Sequence, residues 1–326
     1  MELSTFASCI IVLVGSNFAS GAVHGHESPW GYHHGIDPEH WKIKDSTCDG
    51  KQQSPIDIKT DNVKFDPRLR KFNFTDLLLH RDVKVKIHNN GHTVQVDMED
   101  HTIKVTGGGL PGTYIVDQFH FHWGSVDTRG SEHEINGKHF AMEMHVVMHS
   151  DRFSKFNDAW NSTRGLAVLG FLVDVGREHP YFEKIISHLK EIKDRDVTLD
   201  KFHLESLFPR TDCYYRYYGS LTTPPCYESV IWTIFKEHIY LSKRQLDEFR
   251  ALGKKLGSED LINNYRNPQP LNHRVVTTNC IESFPSVCAD RGKTGRKRHR
   301  CVDYVKIYIK KIFSIFRRIF HRRDDD

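Results

Sequence analysis

The sequence predicts one mainly β domain, and two features of its apolar pattern support this prediction. Short runs alternate apolar and polar residues, as strands with one buried face do, and turn residues such as Asn89-Asn90-Gly91 separate them. A continuous apolar run at residues 166–175 is typical of a strand buried on both faces. No low-complexity break interrupts residues 30–280, so we expect a single domain. The alternating runs lie at residues 83–87, 92–98, 102–105, 114–123, 139–149 and 230–235.

Two further segments predict short peripheral helices. Residues 181–192 place Phe182, Ile185 and Leu189 at helical spacing. We also expect a helix at residues 242–256. Neither changes the prediction that strands dominate the fold.

The first 21 residues have the pattern of a secretory signal peptide. An apolar run at residues 6–14 precedes the small residues Ala19, Ser20 and Gly21, which suit cleavage after Gly21. A buried N-terminal helix is the alternative interpretation.

The cysteines and sequons agree with export. One of the seven cysteines lies in the predicted signal peptide, and the even count that remains favours disulfides in an oxidising compartment. The sequons at Asn73 and Asn161 predict glycosylation sites. We therefore expect a secreted or extracellular protein.

The C-terminal residues 286–326 form a separate basic segment. Residues 289–326 hold thirteen Lys and Arg against five Asp, a net charge of +8 that leaves −4 for the other 288 residues of a chain carrying +4. At about 100° per residue, residues 302–320 separate into an apolar and a basic face, as in a helix that lies in a membrane interface. The apolar face holds Val305, Tyr308, Ile309, Ile312, Ile315, Phe316 and Ile319.

We predict that residues 291–323 bind an anionic membrane surface or a polyanion, so that the protein is peripherally attached. The alternatives are a terminal helix that packs on the domain, a self-associating helix, or a processing site at residues 296–300. The charged residues 322–326 argue against a glycolipid anchor. Nucleic acid is an unsuitable partner for an exported chain, and the sequence leaves the oligomeric state open.

The strand at residues 114–123 gives the first indication of chemistry. Successive side chains of a strand point to opposite faces, so His120 and His122 project together and Gln118 shares their face. The aromatic residues between them pack on the other face. Two imidazoles side by side on a strand form half of a metal site.

The strand at residues 139–149 offers a third ligand, because Glu143, His145 and His149 alternate onto one face. Three histidines around zinc leave one coordination position for water. Neutral imidazoles leave the full +2 charge on the metal, which lowers the pKa of the bound water to about 7. From spacing alone, histidines on a strand face without a metal remain the alternative.

Eight motifs in order along the chain resemble the α-class carbonic anhydrase family. They are WGY at 30–32, QSPIDI at 53–58, NNGH at 89–92, QFHFHWG at 118–124, SEH at 131–133, EMHVV at 143–147, GSLTTPP at 219–225 and QPL at 269–271. The similarity covers most of the chain after the signal peptide and involves independent motifs, so chance does not explain it.

The resemblance implies a twisted, mostly antiparallel sheet of ten strands, within a catalytic domain at residues 22–285, with zinc at the base of a conical cleft. It also implies the residues that hold the metal. His120, His122 and His145 match the zinc ligands, Gln118 and Glu143 match groups that hydrogen-bond the ligand rings, and Asn264 matches a partner that accepts through its carbonyl oxygen.

The implied activity is the reversible hydration of CO2 to bicarbonate and a proton by a zinc-bound hydroxide. Thr222 and Glu132 match the pair that orients this hydroxide. The substrate pocket matches Val147, Val168, Leu221, Thr223, Val230 and Trp232.

His92 matches the proton shuttle, because an imidazole can pass a proton from the site to buffer. Tyr32, Asn90 and Gln95 match the residues that order the intervening water. The family often has Asn at the position of Gln95, so the water chain is expected to differ there.

Cys48 and Cys226 match the paired cysteines of extracellular family members. The other four cysteines have no clear counterpart, and the pairing of Cys213, Cys280, Cys288 and Cys301 stays open. A non-catalytic carbonic-anhydrase-like binding or matrix protein, tethered by the basic tail, is the alternative function. Such relatives usually lack a ligand histidine, whereas this chain has all three.

Overall fold

The computed structural model describes residues 30–33, 35–79, 83–100, 102–252 and 261–280. The predicted signal peptide and the basic C-terminal segment lie outside the described residues, as does the end of the predicted helix at residues 242–256.

Fifteen strands are present in the described part of the chain, and seven of them (β4–β7, β9, β10 and β13) coincide with the apolar runs of the sequence, whereas the other eight were not predicted. They are β1 Asp57–Ile58, β2 Lys64–Phe65, β3 Phe72–Asn73, β4 Val83–Asn89, β5 Val94–Met98, β6 Lys104–Gly107, β7 Tyr114–Trp123, β8 Glu134–Ile135, β9 Met142–Ser150, β10 Leu166–Val175, β11 Val197–Phe202, β12 Tyr214–Gly219, β13 Val230–Phe235, β14 Ile239–Leu241 and β15 Thr277–Thr278.

Ten of these strands follow one another across a large sheet, in the order β11, β4, β5, β7, β9, β10, β13, β12, β15, β2. Neighbouring strands are antiparallel except for β10 with β13 and β15 with β2. Strands β3, β6 and β14 join the sheet beside this path, and β1 pairs with β8 separately. The predicted mainly β fold with a large, mostly antiparallel sheet is therefore confirmed, and the ten strands of this path belong to a sheet of thirteen.

The two faces of the sheet bury different kinds of residues. Strand β7 sends Phe119 and Phe121 into the larger hydrophobic core, so His120 and His122 lie on the opposite face. That opposite face packs against a second, smaller core that includes Val168 of β10. Strand β10 is buried on both faces over its first eight residues, as its apolar run predicted.

Helices are short and lie around the sheet. The α-helices are α1 Trp41–Lys44, α2 Thr75–Leu79, α3 Phe156–Ala159, α4 Glu183–Ile186 and α5 Lys243–Arg250. Ser242 caps α5 in a capping box with Gln245, which fixes the start of this predicted helix. None of the helices that the structure describes is both long and apolar enough to cross a membrane.

Residues 181–192, whose spacing predicts a helix, are helical but do not form one continuous helix. The segment divides into the 3₁₀ helix Pro180–Phe182, helix α4 and the 3₁₀ helix Glu191–Lys193. Its apolar stripe is buried as expected, but the N–H groups of His188 and Leu189 bond to carbonyl oxygens three residues back. The tighter turns keep the stripe against the core without a regular α-helix.

Two disulfides brace the described chain. Cys48 pairs with Cys226, as the resemblance implied, with a Cα–Cα distance of 5.0 Å. Cys213 pairs with Cys280, a pairing that the sequence left open. The second bridge follows from the sheet, because the antiparallel strands β12 and β15 bring the residues that flank them together.

Candidate active site

The pairing of β7 with β9 brings the three predicted metal ligands together. His120 lies directly opposite His145 in this antiparallel ladder, and His122 lies two residues further along β7. Ring centroids are 5.1 Å apart for His120 and His122, 5.3 Å for His120 and His145, and 4.6 Å for His122 and His145. One ring nitrogen from each residue lies within 4.8 Å of the other two, so the donor set fits zinc.

Each of the three rings is held through its other nitrogen by a separate oxygen acceptor. The pairs are His120 Nδ1 with Gln118 Oε1 (2.9 Å), His122 Nδ1 with the Asn264 carbonyl oxygen (2.7 Å) and His145 Nε2 with Glu143 Oε1 (2.8 Å). The nitrogens left for a metal are therefore Nε2 of His120 and His122 and Nδ1 of His145. Nε2 of His122 is buried without a hydrogen-bond partner, as a nitrogen that serves a metal would be.

Burial keeps the three imidazoles neutral. It lowers the pKa of His120 well below the usual range, and the neighbouring His122 and His145 reinforce the effect. Burial, again reinforced by His145, lowers the pKa of His122 to about 3. Burial also lowers the pKa of His145, although the charge of Glu143 opposes this. Neutral imidazoles have the lone pair that a metal ligand needs.

Glu143 organises the floor of the site. Its Oε2 accepts the backbone N–H groups of Glu132 (2.9 Å) and His133 (2.8 Å), while Oε1 faces His133 Nδ1 at 2.7 Å. Burial alone would raise the pKa of Glu143, but His133 and His145 outweigh it and hold the pKa well below the usual value. A Cβ at Gly170 would come within 3.2 Å of Glu143 Oε1, so glycine leaves room for this carboxylate.

His133 is a part of the site to which the sequence analysis gave no role. Its Nε2 lies 2.6 Å from the hydroxyl of Tyr217, which donates to Ser54 Oγ at 2.9 Å. Ser54 Oγ in turn accepts the N–H of Ser220 at 3.0 Å. This chain connects Glu143 to the loop that holds Thr222.

Glu132 lies beside the metal ligands and is fully buried. Its Oε1 accepts the N–H of Arg266 at 2.9 Å and lies 3.5 Å from His122 Nδ1. Burial and the charge of Glu143 raise the pKa of Glu132 well above its usual value, whereas the contact with the Thr222 side chain acts to lower it. A divalent cation on the nearby imidazoles would further favour the ionised carboxylate.

Arg266 is a second residue that the sequence analysis missed. Its guanidinium donates to Gln53 Oε1 (2.7 Å), to the Ser54 carbonyl (3.0 Å) and to the Cys48 carbonyl (2.9 Å). Burial lowers the pKa of Arg266 to about 10, while the charge of Glu132 acts to raise it. Arg266 therefore connects the Cys48–Cys226 bridge, through its side chain, with Glu132, through its backbone N–H.

An apolar wall lies next to His145. Val147, Val168, Val230 and Trp232 belong to one buried cluster, against which Leu221 packs. The Trp232 ring centroid is 4.8 Å from that of His145. The structure therefore brings these predicted pocket residues together. Thr223 lies in the same loop as Leu221, and its carbonyl accepts the N–H of Cys226.

Comparison with known proteins agrees with this geometry. The family model described as eukaryotic-type carbonic anhydrase matches residues 36–280. The chain belongs to this family. It is 38% identical over 269 residues to carbonic anhydrase 6 of Bos taurus, covering 80% of this chain and 83% of that protein. It is 39% identical over 263 residues to carbonic anhydrase 7 of Homo sapiens, covering 77% of this chain and 97% of that protein.

In this carbonic anhydrase family member, His92 lies in a turn that is linked to the ligand set. Asn90 Oδ1 accepts the N–H of His92 at 2.9 Å, and Asn264 Nδ2 donates to the His92 carbonyl at 3.0 Å. The imidazole of His92 stacks on Trp30, with centroids 3.7 Å apart and planes 10° apart. No local pattern in the sequence indicates this stack, because Trp30 and His92 are distant in sequence.

Two predicted water-ordering residues, Asn90 and Gln95, lie at the same turn, and Tyr32 packs against Trp30 with ring centroids 5.9 Å apart. Asn90 Nδ2 donates to Gln95 Oε1 at 3.1 Å, and Gln95 Nε2 donates to Asp97 at 2.6 Å. Burial and the charge of Glu132 raise the pKa of Tyr32 well above its usual value. A cavity of about 490 Å³ is lined in part by His92 and Asn90.

The remaining predicted residues lie away from this site. Asn73 and Asn161 are exposed, as acceptors of a glycan must be. His149, which spacing alone allowed as a third ligand, instead pairs with Asp117. Among the described residues, the group of three histidines that could hold a metal contains His145 and not His149.

The pKa shifts predict that the metal-free protein is less stable in acid. A histidine whose pKa falls from about 6.5 to about 3 on folding binds more protons in the unfolded state, so the free energy of unfolding decreases as pH falls below 6.5. Between pH 7.5 and pH 5, His122 should account for a loss of about 2 kcal/mol. Urea denaturation of wild type and His122→Gln at both pH values measures this.

The control is His273→Gln, at an exposed position, which should show the wild-type pH dependence. Identical pH dependence for His122→Gln and wild type would contradict the assignment of His122 as a buried neutral imidazole.

Proposed function

We propose that this protein catalyses the zinc-dependent reversible hydration of CO2 to bicarbonate and a proton. One observation carries the proposal: three neutral imidazoles converge, with His122 and His145 buried and His120 half-buried, and a different oxygen acceptor fixes the outer nitrogen of each. Membership of the carbonic anhydrase family supports the same reaction. His120 and His122 through Nε2 and His145 through Nδ1 would hold the ion.

The residues around the ligands suit this chemistry. Zinc, when bound, supplies a Lewis acid that lowers the pKa of a water molecule to about 7. The Thr222 hydroxyl would donate a hydrogen bond to the Glu132 carboxylate, because an ionised carboxylate only accepts hydrogen bonds. The Thr222 oxygen then accepts a hydrogen bond from the nucleophile, which turns a lone pair of the nucleophile towards the substrate.

The wall formed by Val147, Val168, Leu221, Val230 and Trp232 suits an uncharged substrate. CO2 has no net charge and no hydrogen-bond donor, so an apolar surface binds it without leaving polar groups unpaired. Bicarbonate is charged and gains less from such a surface. The wall would therefore favour entry of CO2 and release of the product, and Thr223 borders it in the adjacent loop.

His92 is the proposed route for the proton. Histidine is the side chain whose charge changes most readily near physiological pH. The stack on Trp30 and the hydrogen bonds of Asn90 and Asn264 to the His92 backbone hold the turn in place. Tyr32, Asn90 and Gln95 supply polar groups that would order water between His92 and the metal site.

We further propose that the protein is exported and attached to an anionic membrane surface or polyanion by residues 291–323. The two disulfides are typical of an oxidising compartment, and the exposed sequons suit export. The charge and amphipathic pattern of the segment support binding to anionic lipid.

Kinetic measurements should distinguish the loss of zinc from the loss of the Thr222 hydroxyl. His122→Ala should lose both zinc and CO2 hydration. Thr222→Val should keep zinc but lose about 100-fold in kcat, because the orienting contact is gone. Stopped-flow hydration assays with zinc analysis test both, and Thr198→Val, at an exposed position on β11, is the control.

Equal activity of wild type, wild type with a chelator and His122→Ala would contradict the zinc mechanism. A zinc-loaded wild type without activity would instead support the non-catalytic alternative.

A flotation assay tests the C-terminal segment. At low salt, vesicles of phosphatidylserine and phosphatidylcholine should carry the full chain upwards in the gradient but should not carry a chain of residues 1–288. The electrostatic part of this binding should weaken as salt rises. Vesicles of phosphatidylcholine alone are the control. Equal flotation of the two chains would show that residues 289–326 are not the anchor.

A further inference from the structure

A buried acid–base pair lies on the metal side of the sheet, just beyond the substrate wall. Asp117 and His149 are 6% and 2% exposed, and His149 Nδ1 lies 2.8 Å from both carboxylate oxygens of Asp117. His149 lies on the same face of β9 as His145 and Val147, because side chains two residues apart share a face. The pair therefore belongs to the same layer as the ligands.

Asp117 is the extra residue of a β-bulge. The ladder between β7 and β9 changes register between Val116, opposite Met148, and Gln118, opposite Val147, so Asp117 is the additional residue between two successive paired positions. Val116 packs into the larger core, whereas the contact with His149 places Asp117 on the metal side. The bulge thus turns two successive side chains, Asp117 and Gln118, towards the metal side.

This bulge immediately precedes the residue that orients a ligand. Gln118 Oε1 accepts from His120 Nδ1 at 2.9 Å, so the angle of the Gln118 side chain sets the direction of the imidazole. A bulge disrupts the ladder locally and therefore fixes the backbone less firmly than a regular pair does. The hydrogen bonds between Asp117 and His149 supply a link to β9 at this point, and burial strengthens them.

We propose that Asp117 is a positioning residue that acts through Gln118 on the metal ligand His120, with His149 as its anchor on β9. The inference rests on the proposed function for the identity of the ion. The arrangement of Gln118 against His120 exists in the protein without an ion, so it can be tested separately.

Zinc affinity tests the proposal in the full-length protein. Asp117→Asn should weaken zinc binding by about tenfold, within the range found for residues that orient ligands. Gln118→Ala should have a similar effect, and the double variant should bind no more weakly than Gln118→Ala alone, because Asp117 acts through Gln118. Competition with a chromophoric chelator measures the three dissociation constants.

Two further variants separate positioning from stability. Val116→Ala removes a buried side chain beside the bulge on the opposite face, so it should lower stability and leave zinc affinity unchanged. His149→Asn keeps a donor where Nδ1 lies and should retain wild-type affinity, whereas His149→Gln should lose about as much as Asp117→Asn. Equal zinc affinity of wild type and Asp117→Asn, or additive losses in the double variant, would overturn the proposal.

Imidazole N–H resonances of the metal-free protein provide a readout without zinc or activity. Wild type should show a slowly exchanging Nδ1–H of His120, and Asp117→Asn should exchange it at least tenfold faster. An unchanged exchange rate would overturn the proposal. The exchange rates of wild type and Asp117→Asn could differ as expected while wild type binds no zinc. In that case the proposed function would be wrong and the positioning role of Asp117 would stand.

Discussion

The carboxylate of Glu143 is the group on which the rest of the site depends. A buried charge is stable only when its oxygens are satisfied, and here two backbone N–H groups and two histidine rings surround it. The same contacts determine the position of His145, the start of the Glu132 loop and the orientation of His133. One buried anion therefore places His145 and the loop of Glu132 relative to each other.

The loop that contains Thr222 is braced from several directions. The Cys48–Cys226 bridge holds its C-terminal end, and the chain from His133 through Tyr217 and Ser54 holds its N-terminal end. Arg266 joins the carbonyl of Cys48 to the backbone that supports Glu132. The proposed role of Thr222 in orienting a nucleophile requires a closely fixed position, and these contacts would provide it without regular secondary structure.

The parts of the fold and site that the sequence predicts are those with a local signal. Strands β7, β10 and β13 follow from their apolar periods, and spacing alone indicates that His120 and His122 share a face. His145 was separated from His149 by family resemblance and not by period, since both lie on the same face of β9. The bulge at Asp117 then explains why His149 has a different partner.

Contacts between distant segments could not be predicted from periodicity. The stack of Trp30 on His92, the guanidinium of Arg266 and the Cys213–Cys280 bridge depend on how strands and loops far apart in sequence meet. The SEH motif at residues 131–133 singled out His133. Its partner Tyr217 lies on β12, and the strand order of the sheet brings the two residues together. The apolar spacing of residues 181–192 indicated helical turns but not their type, because burial of an apolar stripe does not require a regular α-helix.

The proposed function requires that three imidazoles hold one zinc ion with an open position. X-ray absorption at the zinc edge of the metal-loaded, full-length protein measures this arrangement. We expect one zinc per chain, three imidazole nitrogens at about 2.0–2.1 Å and one further light atom bound to the ion. A first shell with sulfur, or with fewer than three imidazoles, would contradict it.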